Sequence, residues 1–159
     1  MMEIFDRAGN LVARSEPPNK RWFNEMLIRD PFLAGMEIEG ISFQDATLGN
    51  GDFTNADLYG ANLYGSTFES CSFVNSDLRW STLFEARFHN CNMRGARFGK
   101  SELGGPTWVM QVDFSGSNLD DADFTGAVYD DETVFPEGFD PTGRGLVHRD
   151  TADLPRVQP

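Results

Sequence analysis

Few residues of this chain could carry catalytic chemistry or hold a metal ion. The two histidines, His89 and His148, have neither a nucleophile motif beside them nor further ligands at metal-binding spacing. "HRD" at 148–150 matches the catalytic loop of protein kinases, but the glycine-rich loop and the DFG sequence of those enzymes are absent. The glycines of "GGPTWV" at 104–109 are not followed by Lys-Ser or Lys-Thr, which a phosphate-binding loop requires. We therefore expect no catalytic residue, cofactor or metal ion, and predict that the protein is not an enzyme.

Charge is distributed unevenly along the 159 residues, whose net charge is −12. Residues 1–35 are neutral, with five acids and five bases, whereas residues 36–77 carry seven acids and no base. Residues 78–100 have a charge of +4, and residues 101–140 carry ten acids and no base. An acidic protein with one basic segment is a poor general nucleic-acid binder, so we expect no direct contact with nucleic acid.

The sequence contains neither a membrane-spanning stretch nor a recognisable export signal. No apolar run approaches the roughly 18 residues that a membrane helix needs. The opening residues, "MMEIFDRAGN", lack the basic start and the apolar core of a signal peptide. We therefore expect a cytoplasmic protein that does not bind membranes.

Large apolar residues recur with a period of five, and the structure they build must position the surface residues. A large apolar residue occupies every fifth position fourteen times in succession; the spacing then slips by one residue and resumes at Phe114, Leu119 and Phe124. The fourteen residues are Ile38, Phe43, Leu48, Phe53, Leu58, Leu63, Phe68, Phe73, Leu78, Leu83, Phe88, Met93, Phe98 and Leu103. Neither an α-helix, with about 3.6 residues per turn, nor a flat strand, which alternates, produces this period.

Each five-residue unit contains a second position that points inward. Two residues before each large residue stands a small one, from Ala46 and Gly51 to Ala122 and Ala127. The residue directly before the large one is usually Asp, Asn, Ser or Thr, and the residue two after it is often Gly or Asn. Gly and Asn tolerate the backbone conformations that tight corners need. The pattern predicts a polygonal coil, with two inward side chains per side, that stacks as a β-solenoid.

The repeated units resemble a known family. "ADLYGANLYG", "NSDLRW" and "DADFTG" are similar to the A(D/N)Lxx unit of pentapeptide repeat proteins, over residues 36–128. The resemblance implies an all-β fold, a right-handed quadrilateral β-helix with four units per coil. "RWFNEMLIRDPF" resembles a capping segment, so we expect residues 1–35 to form a cap with a hairpin around "DRAGN" and a short helix over 20–29. "AVYDDETVFPEGFDP" resembles a closing loop, and residues 129–159 are expected to form that loop and a flexible tail.

A coil of twenty residues places residues twenty apart directly above one another. Cys71 and Cys91 then stack at the small inward position, close enough for a disulfide, although two buried thiols are the preferred interpretation in a cytosolic protein. One outward column consists of Glu37, Asp57, Asp77 and Arg97. Opposite charges one coil apart attract each other weakly at a surface, so we expect a solvated, partly self-compensating face.

The outward aromatic residues are the strongest indication of function. Tyr64 is expected to stack with Phe84 and Tyr59 with Arg79, while Trp80 lies at the corner between them. We refer to these five residues as the aromatic ridge, because aromatic residues and Arg are enriched in protein-binding hot spots. Two interpretations are open. Either the ridge binds a partner protein, or Arg79 covers Tyr59 as a cation–π pair and the aromatics only cover the sheet.

Two functions fit these features. The first is a non-catalytic interaction module, a monomer or weak dimer, that binds an unknown protein partner through the aromatic ridge. A second candidate surface is the basic belt of Arg87, Arg94 and Arg97. The other function follows from the family resemblance, because some pentapeptide repeat proteins resemble B-DNA and bind DNA gyrase, inhibiting it or protecting it from quinolones. Acidity favours that function here, whereas the basic belt and the short repeat oppose it.

Overall fold

The computed structural model describes residues 1–15 and 21–150, so the closing loop and tail predicted over 129–159 lie outside this part from residue 151 onwards. The strands are β1 (Glu3–Phe5), β2 (Leu11–Arg14), β3 (Leu27–Arg29), β4 (Thr47–Gly49), β5 (Thr67–Glu69), β6 (Arg87–His89), β7 (Val128–Tyr129) and β8 (Val147–His148). The described residues contain no α-helix, so the all-β fold is confirmed. Within them no helix is long and apolar enough to cross a membrane.

Four short parallel strands stack with a register of twenty residues. β3, β4, β5 and β6 are neighbours in that order, which aligns Ile28, Leu48, Phe68 and Phe88 in one row. Isolated parallel bridges repeat the same twenty-residue step on the other three sides of the coil as far as Arg97. The predicted four-sided β-helix with four units per coil is therefore confirmed.

Each unit turns because two of its residues make specific backbone interactions. The Asp or Asn before the large residue accepts a hydrogen bond from the N–H two residues later. Asp57 accepts from Tyr59 at 3.0 Å, and Asn62 accepts from Tyr64 at 3.2 Å. The residue two after the large one lies in the left-handed region, where twelve non-glycine residues have φ between +54° and +60°. Gly, Asn and Asp tolerate that region best, which explains why they recur at the corners.

The large residues fill the interior, where Phe side chains stack along the axis. Phe53 lies parallel to Phe73 with ring centroids 4.6 Å apart, and Phe98 lies parallel to Phe124 at 4.6 Å. The small inward serines are buried but satisfied, since Ser76 Oγ donates to the backbone carbonyl three residues earlier at 2.8 Å. Burial of one large apolar side chain contributes about 1.5–3 kcal/mol, so the interior supplies most of the driving force for folding.

The helix predicted over residues 20–29 is wrong, because its described residues belong to the first coil. Trp22 forms a parallel bridge to the next coil, and β3 lies within the range. The apolar pairs at helical spacing are a coincidence of the five-residue period. Phe23 and Ile28 are fully buried, whereas Trp22 and Leu27 are 52% and 65% exposed. The coil stack therefore begins before the predicted start of the repeat.

Short segments cover both ends of the stack. The predicted hairpin is confirmed, since β1 and β2 pair antiparallel and Asp6 Oδ1 accepts the N–H groups of Ala8 and Asn10 at the turn. At the other end, the ring of Phe135 stacks on that of Phe114 with centroids 5.8 Å apart. Each end thus keeps apolar core residues away from water, as a solenoid requires.

Leu103 lies on the surface, although the five-residue spacing assigns it to the interior. Its side chain is 96% exposed, and Val109 takes the inward place instead. Thr82 pairs with Trp108, a step of twenty-six residues rather than twenty, so six residues are inserted between these coils. We call residues 101–106 the insertion loop. The five-residue spacing of Leu103 is fortuitous, because the loop leaves the coil where a regular side would continue.

The two cysteines are structural residues of the core. Cys71 and Cys91 are both free thiols and both buried, which confirms the preferred interpretation. The N–H of Gly51 donates to Cys71 Sγ at 3.2 Å. Hydrogen bonding to Cys91, together with burial, raises the pKa of Cys71 well above the ordinary thiol value. That thiol therefore stays protonated at neutral pH and is a poor nucleophile.

Candidate functional site

The structure arranges the aromatic ridge in two groups on adjacent sides of the coil. Tyr64 and Phe84 form the first, with parallel rings whose centroids are 6.1 Å apart. Both side chains are half-buried, so part of each ring faces solvent. The Tyr64 hydroxyl donates to Glu85 at 3.4 Å, and the charge of that carboxylate raises the pKa of Tyr64. The predicted stacking of this pair is confirmed.

Tyr59 and Arg79 form the second group, which is engaged in contacts within the chain. The guanidinium carbon of Arg79 lies 5.9 Å from the centroid of the Tyr59 ring, so the predicted cation–π contact is present. Arg79 Nε and Nη2 also donate to the Asp77 carboxylate at 2.8 and 2.6 Å. These two residues therefore support the surface more than they offer groups to a partner.

The insertion loop packs on the ridge, which sequence reasoning missed. The Tyr59 hydroxyl and Ser101 Oγ are 2.7 Å apart, and the backbone N–H of Trp80 donates at 2.9 Å to Oγ1 of Thr107, the residue directly after the loop. The Trp80 ring covers Gly104 so closely that an added Cβ would lie 2.6 Å from it. Only glycine fits there without a shift of the ring. Two members of the ridge therefore fix the path of the loop.

Trp80 has an unusual backbone conformation for a bulky residue. It occupies a coil corner with φ +60°, where the corner one coil below has Gly60. Its ring packs against that of Tyr59 with centroids 5.6 Å apart, and the side chain is still 53% exposed. Such strain persists only where surrounding contacts impose it, and it is concentrated at functional sites. Leu103, the residue before the glycine that the Trp80 ring covers, is exposed as well.

A groove of about 430 Å³ separates the insertion loop from the coil. Its lining residues are Glu39, Asp57, Tyr59, Asp77, Arg79, Ser101, Glu102 and Leu103. Four carboxylates against one guanidinium make the groove acidic. No three His, Cys, Asp or Glu side chains in the described ranges are grouped so that they could hold a metal ion.

A comparison with known families matches the repeat that builds this surface. Residues 41–124, more than half of the chain, match the family model described as a pentapeptide repeat region. The chain belongs to the pentapeptide repeat family. Membership agrees with the resemblance of the sequence units and with the twenty-residue coil. No curated protein sequence matches this pentapeptide repeat protein.

Solved structures similar to this pentapeptide repeat protein include two from cyanobacteria. Rfr23 from Cyanothece 51142 is 20% identical, with 76% of this chain and 67% of that one covered and a TM-score of 0.36. A pentapeptide repeat protein from Nostoc PCC 7120 is 28% identical, with 81% and 85% covered and a TM-score of 0.35. QnrB1, described as a plasmid-mediated fluoroquinolone resistance protein, is 15% identical, with 91% and 71% covered and a TM-score of 0.39.

Acidic side chains neutralise much of the basic belt of this pentapeptide repeat protein. Arg94 Nε pairs with Asp121 at 3.1 Å, and Arg97 Nη1 pairs with Asp77 at 3.2 Å. Arg87 lies on the exposed face of β6. The predicted column of outward charges is confirmed by successive bridges that run from Glu37 through Asp57 and Asp77 to Arg97 and continue to Asp123. Two of the three arginines of the belt are therefore already paired with carboxylates of the same chain. The aromatic ridge, by contrast, leaves apolar surface in water.

Asp77 connects the ridge to the basic belt. Burial opposes its charged form, but hydrogen bonds from Arg79 and the charges of Arg79 and Arg97 outweigh burial and hold the Asp77 pKa below the ordinary aspartate value. The Asp77 carboxylate likewise raises the pKa of Arg79. A lowered aspartate pKa means that the ionised form stabilises the fold at neutral pH, and that this contribution is lost as pH falls through the folded-state pKa.

The Asp77→Asn variant should therefore be less stable than the wild type in a pH-dependent way. We expect a lower thermal midpoint at pH 7, and a difference that shrinks as pH falls below the unfolded aspartate pKa of about 3.9 and disappears below the lower folded-state pKa. Asp57→Asn is the matched control. Asp57 occupies the same column and accepts the Tyr59 N–H, but it forms no ion pair in the described part of the chain. A stability difference for Asp77→Asn that is unchanged at acid pH would contradict this assignment.

Proposed function

We propose that this pentapeptide repeat protein is a non-catalytic interaction module that binds a protein partner. The binding surface consists of the aromatic ridge, within which Tyr59 and Arg79 support the more exposed rings, together with Leu103 of the insertion loop. The observation that carries the proposal is that Trp80 and Leu103 are both exposed, while the Trp80 ring packs on Gly104, the chain neighbour of Leu103. Large apolar side chains in water contribute little to folding, and exposed apolar patches mark binding sites.

The geometry suits recognition because the apolar side chains are held before any partner arrives. Tyr64 and Phe84 are fixed by stacking, and Trp80 is fixed by its packing against Gly104 and Tyr59. Ordering a flexible side chain at an interface costs about 0.5–1.5 kcal/mol, and a rigid frame avoids much of that cost. Acidic residues of the groove border the aromatic ridge, which favours partners with basic residues at the edge of their contact surface.

Binding to DNA gyrase by mimicry of B-DNA is a distinct function, and it requires a different surface. It requires acidity that continues along the molecule, but Arg87, Arg94 and Arg97 interrupt it. The coils rise through six levels on one side, from Trp22 to Val128. Five steps of about 4.8 Å give roughly 24 Å, less than one turn of duplex at about 34 Å. A gyrase supercoiling assay separates the two functions, because the interaction module should leave supercoiling unchanged.

The double variant Tyr64→Thr, Phe84→Thr tests the interaction surface. Threonine is common at outward positions of this fold, so we expect the thermal midpoint to change by only a few degrees, as for other surface substitutions. Affinity purification from the native cell followed by mass spectrometry identifies the partner. Titration of that partner should show binding weakened by about 2 kcal/mol or more, roughly a thirtyfold rise in Kd.

Val74→Thr is the matched control for this experiment. Val74 follows its large residue directly, as Tyr64 and Phe84 do, but lies on the opposite side of the coil. The control should bind the partner like the wild type. If the double variant binds unchanged, or if both variants lose binding equally, the partner does not use the aromatic ridge.

A further inference from the structure

Between Trp22 and Trp108, one side of the coil carries no charged residue at its outward positions. Two columns of outward side chains run along this side. Parallel bridges join the first column from Trp22 to Trp108, and successive backbone hydrogen bonds join the second as far as Phe84. We call this surface the neutral side, and its nine residues are Trp22, Asn24, Ser42, Gln44, Asn62, Tyr64, Thr82, Phe84 and Trp108.

The two sides that border the neutral side are charged. One carries the column of outward charges from Glu37 to Arg97. On the other, which β3 to β6 build, Arg29, Glu69 and Arg87 are exposed. A charged ligand would find no partner for an ion pair on the neutral side, and an anion would also be repelled by the net charge of −12. The composition of the neutral side therefore favours an uncharged ligand.

The polar residues of the neutral side hold one another in place. Ser42 Oγ donates to Asn24 Oδ1 at 2.6 Å, and Asn62 Nδ2 donates to Gln44 Oε1 at 3.2 Å. A side-chain amide has two N–H donors and an oxygen with two lone pairs, so each of these contacts uses only part of its capacity. Asn24, Gln44 and Asn62 are half-buried and Thr82 is exposed. The neutral side therefore offers fixed donors and acceptors to a ligand that is rich in hydroxyl groups.

The aromatic residues of the neutral side supply apolar surface beside these polar groups. Trp22 is exposed, and Tyr64, Phe84 and Trp108 are half-buried. A sugar ring has C–H groups on its faces, which pack against aromatic rings, and hydroxyl groups at its edge, which need hydrogen-bond partners. Four coil steps of about 4.8 Å separate Trp22 from Trp108, so the neutral side is roughly 19 Å long. That length suits a chain of several sugar units better than a single one.

We propose that the neutral side binds a linear oligosaccharide of uncharged hexose units. The aromatic side chains pack against the faces of the sugar rings, and the amides and hydroxyls bind the sugar hydroxyls. A sugar chain fits this side better than a protein does, because the Arg residues that are enriched in protein interfaces are absent from it. This binding goes beyond the proposed protein contact, although Tyr64 and Phe84 belong to both surfaces.

Isothermal titration calorimetry of the full chain with cellohexaose and with maltohexaose tests the proposal. We expect one of the two to bind with a Kd below about 1 mM, and the better one shows whether the site takes β-linked or α-linked glucose. Raising NaCl from about 0.05 to 0.5 M should leave that Kd unchanged, because no ion pair forms. Absence of binding by both sugars overturns the proposal. Equal binding of hexagalacturonate, an acidic chain of the same length, also overturns it.

The variant Asn62→Asp places the sugar on the neutral side. Aspartate occupies the equivalent place in the units of Asp57 and Asp77 and accepts the same backbone N–H there, so the variant should fold, which its thermal midpoint verifies. Loss of the amide donors should raise the Kd for the sugar at least about tenfold.

Asn92→Asp is the matched control, because it makes the same change on the opposite side of the coil. Asn92 likewise accepts the N–H two residues later, that of Arg94 at 3.3 Å. The control should bind the sugar like the wild type. Unchanged binding by Asn62→Asp, or equal loss in both variants, overturns the proposal. If neither sugar binds but Asn62→Asp weakens the protein partner, the neutral side belongs to the protein contact instead.

Discussion

Replacement of Leu78 by Asp should abolish the cooperative fold. Leu78 is completely buried between neighbouring coils, and no Lys, Arg or His is buried in the described part of the chain to pair with a carboxylate there. An unpaired charge in an apolar interior costs several kcal/mol, a large share of the 5–15 kcal/mol that typically stabilises a domain. We expect the thermal midpoint to fall by more than about 10 °C, or the transition to disappear.

The same replacement at Leu103 is the control, because both leucines fit the five-residue period but only Leu78 is in the core. Leu103→Asp should leave the thermal midpoint within a few degrees of the wild type. Circular dichroism during heating measures both variants. Equal destabilisation by the two changes would show that the coil continues through residue 103 and that the insertion loop is misplaced.

Truncation of Phe73 to Ala should produce the second large effect. Phe73 stacks on Phe53 with centroids 4.6 Å apart, and it meets Phe68 and Phe88 edge to face at 5.1 and 5.4 Å. Removal of the ring leaves a cavity that the rigid backbone cannot close. Such truncations reduce the free energy of unfolding by about 3–5 kcal/mol, which urea denaturation can measure.

Phe73→Leu is the control, because it keeps most of the side-chain volume and removes only the aromatic ring. Leucine fills the same inward position in other units, as Leu63 and Leu78 do, so we expect a loss of only about 1 kcal/mol. The two variants should unfold with similar dependence on urea concentration, since both expose the same coil on unfolding. An effect of Phe73→Ala no larger than that of Phe73→Leu would mean that Phe73 does not lie in the aromatic stack.

The interior and the corners could be predicted from sequence because both are local and repeated. One large residue, one small residue and one corner residue per unit determine a coil side, and seventeen or so repetitions leave little room for another fold. The stacking of Tyr64 on Phe84 and of Arg79 on Tyr59 follows from the coil length alone. These predictions needed no information about distant contacts.

The errors arose where two periodic patterns overlap. Residues 21–29 show apolar spacing that fits a helical turn as well as a coil side, and only the burial of Phe23 and Ile28 separates the two. The period also includes Leu103, although six extra residues carry it out of the coil. Local spacing cannot reveal such an insertion, because a loop residue can fall in phase by chance.

The arrangement of the site depends on contacts that no repeat specifies. The hydrogen bond between Tyr59 and Ser101 joins residues 42 positions apart and exists only because the insertion loop folds back along the corner. Gly104 is required by the Trp80 ring, not by the backbone of the loop. Sequence reasoning could identify the aromatic residues, but it could not show that some of them hold a loop while others face solvent.

The insertion loop also shows where the solenoid tolerates a change in chain length. The coil before residue 101 and the coil after residue 106 pair in the ordinary way, because the six extra residues leave and re-enter at one corner. Doubling the length of a flexible loop adds only about 0.6 kcal/mol of closure entropy. This corner is therefore a graft point, where a foreign peptide can be displayed next to the aromatic ridge without altering the register of the coils around it.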